Sequence, residues 1–428
     1  MLLRFEVSNH RSIKEAVEFS MIAIDTDRVA ARPVESISKS VLATAGIYGP
    51  NASGKSNLLN SLYWLSRAVR VSLRSWDAFI PTEPFRFDDW SSKHSTFNIE
   101  MTVHGVRYSY SLEVNETSVI FEGLYSYPKQ YRRTLFEREG ADFSLRRGLG
   151  SISGTRELLT PTTLALSAAM RFDEPEVRLF AQELGGIIAL GSRLRPERKA
   201  GSLRKDRPSS YETELMFFER RYQEKGLLLE DEHPEILANR DSALALLRFA
   251  DLGIDDVEVI DEAGEIGPSR RRLRFVHSAA KENRVFDFEE ESAGTQTWFG
   301  LIGPVLYALQ SGRTVLFDEI DASLHPKLSA RLVELFHDPK TNSTGAQLIF
   351  TTHDTSLLNH LNRDEVWLTE KGRDGATTLT ALAEYGGDRV RRSLNLEKAY
   401  LQGRFGAVPE LDQYMLRRAL GVIPDDAE

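Results

Sequence analysis

The residues Gly49-Pro50-Asn51-Ala52-Ser53-Gly54-Lys55-Ser56 have the types and spacing needed to hold a chain of phosphates, matching the pattern G-x-x-x-x-G-K-[ST]. In such a loop the glycines let the backbone fold tightly, so that amide groups from Asn51, Ala52, Ser53, Gly54 and Asn57 converge on an anion. The ammonium of Lys55 would reach the β and γ phosphates, and the hydroxyl of Ser56 would ligate Mg2+. Two carboxylates, Asp318 and Glu319, follow the apolar run Arg313 to Phe317. Asp318 would join the Mg2+ coordination shell, and Glu319 would hold an attacking water as general base. His353 stands at the end of a third apolar run, Gln347 to Thr352, where it could face the γ-phosphate.

These groups act together only if the right elements carry them. Val41 to Tyr48 has the length and apolar content of a buried parallel strand, and Asn57 to Val71 places Leu58, Leu59, Leu62, Leu65 and Val69 at helical spacing. Strand, glycine loop and helix is the context a phosphate loop requires. Arg313 to Phe317 should lie beside the phosphate-loop strand, with Gln347 to Thr352 in the same sheet. The long separation of Lys55 from Asp318 exceeds what one crossover needs, so other structure must be inserted between the two halves of the site.

Glu289-Glu290-Glu291-Ser292-Ala293-Gly294-Thr295-Gln296 precedes an apolar stretch, Trp298 to Leu309, which is most simply a helix. Ser292 is a candidate cap for it, and a serine hydroxyl with the Gly294 amide at a helix start forms another phosphate-binding end. A single nucleotide need not use both ends. A dimer in which the Ser292 end of each chain covers the γ-phosphate of the other reconciles them. Gly303-Pro304 is expected to break or kink that helix.

Elsewhere, Leu2 to Val7 and Val17 to Ile24 read as paired strands. From Thr96 the apolar residues alternate, through Phe97, Ile99, Met101 and Val103, a turn at His104-Gly105, and then Val106 to Val114. With Val119 to Tyr125, Arg133 to Arg138 and Phe143 to Leu145 they predict an antiparallel meander. Leu158 to Met170, Glu176 to Leu184, Tyr211 to Glu224 and Pro234 to Ala250 read as helices. Arg193 to Arg207 holds seven basic residues against two acidic ones, a loop that could touch nucleic acid or an acidic partner. A second basic cluster, Ser269 to Arg274, leads into a strand.

The whole chain, 428 residues with a net charge of −9, is not a general polyanion binder, and without cysteine it has neither thiol chemistry nor disulfides. Its most apolar run is shorter than the about 20 residues that cross a bilayer. Met1 to Glu6 carries charges where a signal peptide needs apolar residues, so the expected compartment is the cytoplasm and no membrane is involved.

Taken with Asn9-His10-Arg11-Ser12, the string Asp318-Glu319-Ile320-Asp321-Ala322-Ser323-Leu324-His325-Pro326, Thr351-Thr352-His353-Asp354 and Tyr400 to Pro409, these motifs resemble the AAA15 family of bacterial ATPases. That family shares the ABC-type ATPase head of SMC, RecF and OLD proteins. The resemblance implies an α/β fold: an ABC-type P-loop ATPase head with a mixed sheet, an antiparallel β subdomain and an inserted helical arm. The expected division is 1–75 with the phosphate loop, 76–155 antiparallel, 156–250 the helical arm, and 251–428 with the remaining motifs. It further implies ATP and Mg2+ as ligands, Arg11 among the nucleotide contacts, Asp321 and Ser323 between two sites, and His353 as the γ-phosphate switch. A homodimer or higher oligomer would control a separate, nuclease-like effector, in anti-phage defence or nucleic-acid stress. An ATP-gated scaffold with little turnover is the alternative. No glutamine occupies Pro84-Phe85-Arg86-Phe87, where the family's glutamine loop is expected, and Ala293 stands where transporter signatures have glycine.

Overall fold

The computed structural model describes residues 1–26, 28, 30–146, 153–172, 174–191, 194, 211–218, 240–250, 253–262, 270–279, 282–322, 324–385, 395–408, 417, 418 and 420. Apolar residues alternating with polar ones, Leu3, Phe5 and Val7 in the first and Val17 and Phe19 in the second, form β1 (Leu2–Ser8) and β2 (Val17–Ser20), which pair antiparallel. The short strands β3 (Ala31–Val34) and β4 (Lys39–Leu42) form their own ribbon. The apolar run expected as one strand from Val41 is therefore divided at Ala43. Val41 and Leu42 pair with β3, and β5 (Thr44–Tyr48) starts afresh in another sheet. After the glycine loop comes α1 (Lys55–Ser75), which begins two residues earlier and ends four later than its apolar spacing suggested.

The alternating segment forms β6 (Ser95–Val103), β7 (Val106–Val114), β8 (Val119–Tyr127), β9 (Arg133–Glu139) and β10 (Asp142–Leu145). His104 and Gly105 both take positive φ, 47° and 77°, as a two-residue hairpin turn between right-twisted strands requires. The sheet runs β10-β9-β8-β7-β6-β1-β2, so the first two strands of the chain extend the meander. The helix expected over Leu158 to Met170 is instead two short ones, α2 (Thr155–Leu158) and α3 (Ala165–Ala169). Between them Thr160 accepts from the Thr163 amide through its own hydroxyl, an alternative partner that ends helical bonding. α4 (Pro175–Gly185) follows and leads to β11 (Ile188–Leu190).

Beyond it lie α5 (Tyr211–Phe218) and α6 (Arg240–Ala250). Arg193 to Arg207, apart from buried Leu194, lies outside the described residues, as do the expected helical stretches from 219 to 239. A three-stranded antiparallel sheet follows: β12 (Ile254–Glu262), β13 (Arg270–Ala279) and β14 (Glu282–Asp287).

The last part comprises α7 (Ala293–Ser311), β15 (Thr314–Phe317), α8 (Pro326–His337), β16 (Gln347–Thr351), β17 (Val366–Lys371), β18 (Thr377–Ala381) and α9 (Leu396–Leu401). Its sheet has the order β11-β15-β16-β5-β17-β18, parallel throughout except for β18. Two covered faces explain why these strands are continuously apolar. Ala45, Ile47, Leu316 and Ile349 enter the core shared with α1 and the meander. Val315, Phe317, Leu348 and Phe350 enter a second core with α7 and α8.

The order of the strands differs from the expected one. β15 does not adjoin β5, because β16 lies between them and pairs with both. Of the break or kink expected at Gly303-Pro304, the break does not occur: α7 continues to Ser311 with Pro304 inside it. A hydroxyl from α5 bonds the helix just ahead of the proline: Thr213 Oγ1 donates to the Phe299 carbonyl at 2.6 Å and accepts from the Gly303 amide at 2.8 Å.

Candidate functional site

The glycine loop is shaped by its neighbours. Gly49 and Gly54 have φ of 150° and 108°, and Ala52 also lies at positive φ. A Cβ on Gly49 would meet the Thr369 carbonyl at 2.4 Å, and one on Gly54 would meet Thr377 Oγ1 at 2.1 Å. Both glycines are thus required by close approach as well as by conformation. Lys55, the first residue of α1, is buried, and its ammonium donates to the carbonyls of Gly49 and Pro50 at 2.8 and 3.0 Å. No side chain caps α1 at Gly54. Its first amides and its dipole are therefore presented to the loop, an arrangement suited to an anion.

Asp318 sits just past β15, and Ser56 sits in the first turn of α1. Ser56 Oγ donates to Asp318 Oδ1 at 2.8 Å, and Thr351 Oγ1, at the end of β16, donates to the same oxygen at 2.7 Å. Thr351 thus bridges the intervening strand. Asp318 Oδ2 is buried with no hydrogen-bond partner among the described residues. A carboxylate oxygen without a donor, next to a serine hydroxyl, matches the oxygen ligands that Mg2+ prefers. The donor set therefore fits the expected metal.

Glu319 follows in the left-handed region at φ 56°, its amide donating to Thr351 Oγ1 at 2.8 Å. A non-glycine residue held there is strained, and such strain is characteristic of functional turns. Thr352 Oγ1 and the His353 amide donate to the Asp321 carboxylate at 2.7 and 3.2 Å, which ties the segment after β16 to the turn after Asp318. Hydroxyl and carboxylate contacts thus bring together Ser56, Asp318, Glu319, Asp321, Thr351, Thr352 and the backbone of His353. Ser323 lies outside the described residues.

Ser292 caps α7 as expected, its Oγ accepting from the Thr295 amide at 3.1 Å. Ser292, Ala293 and Gly294 are exposed, and a Cβ on Gly294 would meet only Ser292 Oγ, at 3.8 Å. Gln296 Nε2 donates to the carbonyls of Phe288 and Glu291, and His277 of β13 bonds Glu291 at 2.7 Å, so the approach to the helix is fixed. Among the described residues no hydrogen bond joins Ser292 or Gly294 to the glycine loop.

Arg11 also has positive φ, and its guanidinium pairs with both oxygens of Glu83 at 2.9 Å. Its neighbours reach α1: His10 Nε2 bonds Asn60 Oδ1 at 3.0 Å, and Asn57 Nδ2 donates to Ser12 Oγ at 2.6 Å. Thr369 of β17 and Thr377 of β18 bond the loop directly but belong to no motif in the sequence. Their only signal was position, as hydroxyl residues on strands that follow His353.

A parallel sheet with a glycine loop between β5 and α1, and with a carboxylate delivered beside its serine, defines a phosphate-loop ATPase fold. Residues 45–359 match the family described as "AAA domain, putative AbiEii toxin, Type IV TA system", and the chain belongs to that family. Among solved structures, the chain is similar to an SMC head bound to the C-winged helix domain of ScpA, with a TM-score of 0.43, 15% identity, and coverage of 89% of this chain and 97% of that one. It is also similar to the SMC head domain from Thermotoga maritima, with a TM-score of 0.40, 13% identity, and coverage of 89% and 98%. No curated protein matches the chain by sequence. Among the described residues no helix is long and apolar enough to cross a membrane.

Proposed function

We propose that this chain binds and hydrolyses ATP as a switch that closes and opens a dimer of heads and thereby controls a partner effector. The observation that carries the reading is the pairing of Ser56 with Asp318, whose second oxygen is buried without a donor. In this reading Lys55 neutralises the β and γ phosphates, and amides of the loop and of the first residues of α1 surround them; those of Ser53 and Asn57 donate instead to the Pro50 and Gly54 carbonyls. Ser56 and Asp318 hold Mg2+, which when bound offsets charge on the phosphate oxygens. Glu319 takes the proton of the attacking water, and His353, held through its backbone by Asp321, stands at the γ-phosphate side. Arg11 and its neighbours line the α1 side of the nucleotide.

Exposed Ser292 and Gly294 would complete the site of a second copy, consistent with their lack of bonds to their own glycine loop. The kinship with AAA15 proteins, a separate nuclease-like effector, a role in anti-phage defence and a nucleic-acid contact through Arg193 to Arg207 belong to the same reading. So does the division at residues 75, 155 and 250.

Lys55→Ala tests it. Loss of a charge-assisted bond worth about 3 kcal/mol in a desolvated site should weaken ATP binding about 100-fold. Titration with a fluorescent ATP analogue measures this, and retained affinity would place the nucleotide elsewhere.

A further inference from the structure

We infer that Thr377, reached through Ser12, is a positioning residue that sets the orientation of the Ser53–Gly54 peptide in the glycine loop. The inference rests on the ATP-binding reading above and extends it to strands past residue 359, beyond the stretch that matches the family.

Three hydrogen bonds form one chain. Asn57 Nδ2 donates to Ser12 Oγ at 2.6 Å, Ser12 Oγ lies 2.7 Å from Thr377 Oγ1, and Thr377 Oγ1 donates to the Ser53 carbonyl at 2.8 Å. A hydroxyl has one proton, and that of Thr377 is committed to Ser53. The proton between Ser12 and Thr377 therefore comes from Ser12, and all donors point the same way, each bond polarising the next. The Thr377 amide donates to the Ser12 carbonyl at 2.7 Å, which fixes the spacing of the two hydroxyls.

The end of this chain determines its purpose. The Ser53 carbonyl and the Gly54 amide share one planar trans peptide, so they point in opposite directions. Holding the carbonyl against β18 turns the Gly54 N–H away from it, toward the interior of the loop where phosphate oxygens would lie. Gly54 permits this because any Cβ would collide with Thr377. A parallel device holds the loop's other end. Ser53 Oγ bonds Thr369 Oγ1 at 2.6 Å, and Thr369 Oγ1 donates to the Tyr48 carbonyl at 3.2 Å, immediately before Gly49. Ser53, Thr369 and Thr377 are all buried, so no water stands ready to replace a lost hydroxyl.

The experiment compares Thr377→Val, Thr377→Ser and Ser12→Ala with the full-length protein, reading affinity for a fluorescent ATP analogue and thermal melting without nucleotide. Thr377→Val keeps the shape and removes the donor. It should weaken ATP binding roughly tenfold, the worth of about one hydrogen bond, while Thr377→Ser restores it. Ser12→Ala should lose affinity in the same direction, and the double variant should be no weaker than Thr377→Val alone, because both cut one chain. Unchanged affinity in Thr377→Val, or failure of serine to restore it, overturns the assignment while ATP binding by the wild type still stands. If Thr377→Val does not melt cooperatively, half-buried Ser12 carries the test, and wild-type affinity in Ser12→Ala overturns it. A wild-type protein that binds no ATP overturns both this inference and the reading beneath it.

Discussion

Asp318 divides its two oxygens: one accepts from Ser56 and Thr351, the other from no group among the described residues. That asymmetry follows from residue types the sequence displays, so Lys55, Ser56, Asp318 and Glu319 were legible as a motif. Thr351 and Ser12 were legible only as parts of strings, and Thr369 and Thr377 not at all, because one hydroxyl on a strand has no period to betray its partner. His10 shows another effect that only burial reveals. It is fully buried, its Nε2 bonds Asn60 Oδ1, and its Nδ1 has no hydrogen-bond partner. Burial, outweighing the Asn60 bond, pushes its pKa down from 6.5 to about 4. The unfolded chain therefore takes up the proton first. The stability due to neutral His10 is fully present above about pH 6.5 and is lost as the pH falls toward 4, by about 3 kcal/mol in all. Urea midpoints of the wild type and His10→Gln should diverge at neutral pH and converge in acid. Parallel pH profiles would show that His10 does not titrate in this way.

Periodicity located the meander and the parallel strands well, because burial on one face or two leaves different patterns. It could not order the strands, since β15 and β16 are both short apolar runs that end in polar groups. In α7, where Gly303-Pro304 implied a break or a kink, the helix runs on through Pro304 with the Thr213 hydroxyl bonded to it. The hydroxyl of Thr213 lies in the ladder between Phe299 and Gly303, satisfying both groups while α5 packs alongside. Nothing local to α7 encodes that partner. Thr213→Val should leave a buried carbonyl and a buried amide unpaired, costing about 2–4 kcal/mol, whereas Thr213→Ser should be close to neutral. Thermal melting distinguishes them, and a valine variant as stable as serine would mean that the ladder closes without help.

For the molecule as a whole, the two ends proposed to bind phosphate have no hydrogen bond between them among the described residues, which makes the proposed dimer closure the central question. Glu319→Gln keeps the shape of the turn and removes the proposed base. It should retain ATP binding, lose hydrolysis about 100-fold or more, and accumulate as a dimer with ATP in light scattering. If it functions like the wild type with its partner, the chain is an ATP-gated scaffold instead of a switch. The same long-range assembly has a consequence for synthesis. β5 pairs only with β16 and β17, so it leaves the ribosome with neither edge matched. At about 5–20 residues per second, the roughly 300 residues before its first partner take about 15–60 s to be made. During that interval an apolar strand and its glycine loop await neighbours, and the nascent chain is exposed to aggregation or to chaperone capture until the final fifth of translation releases it.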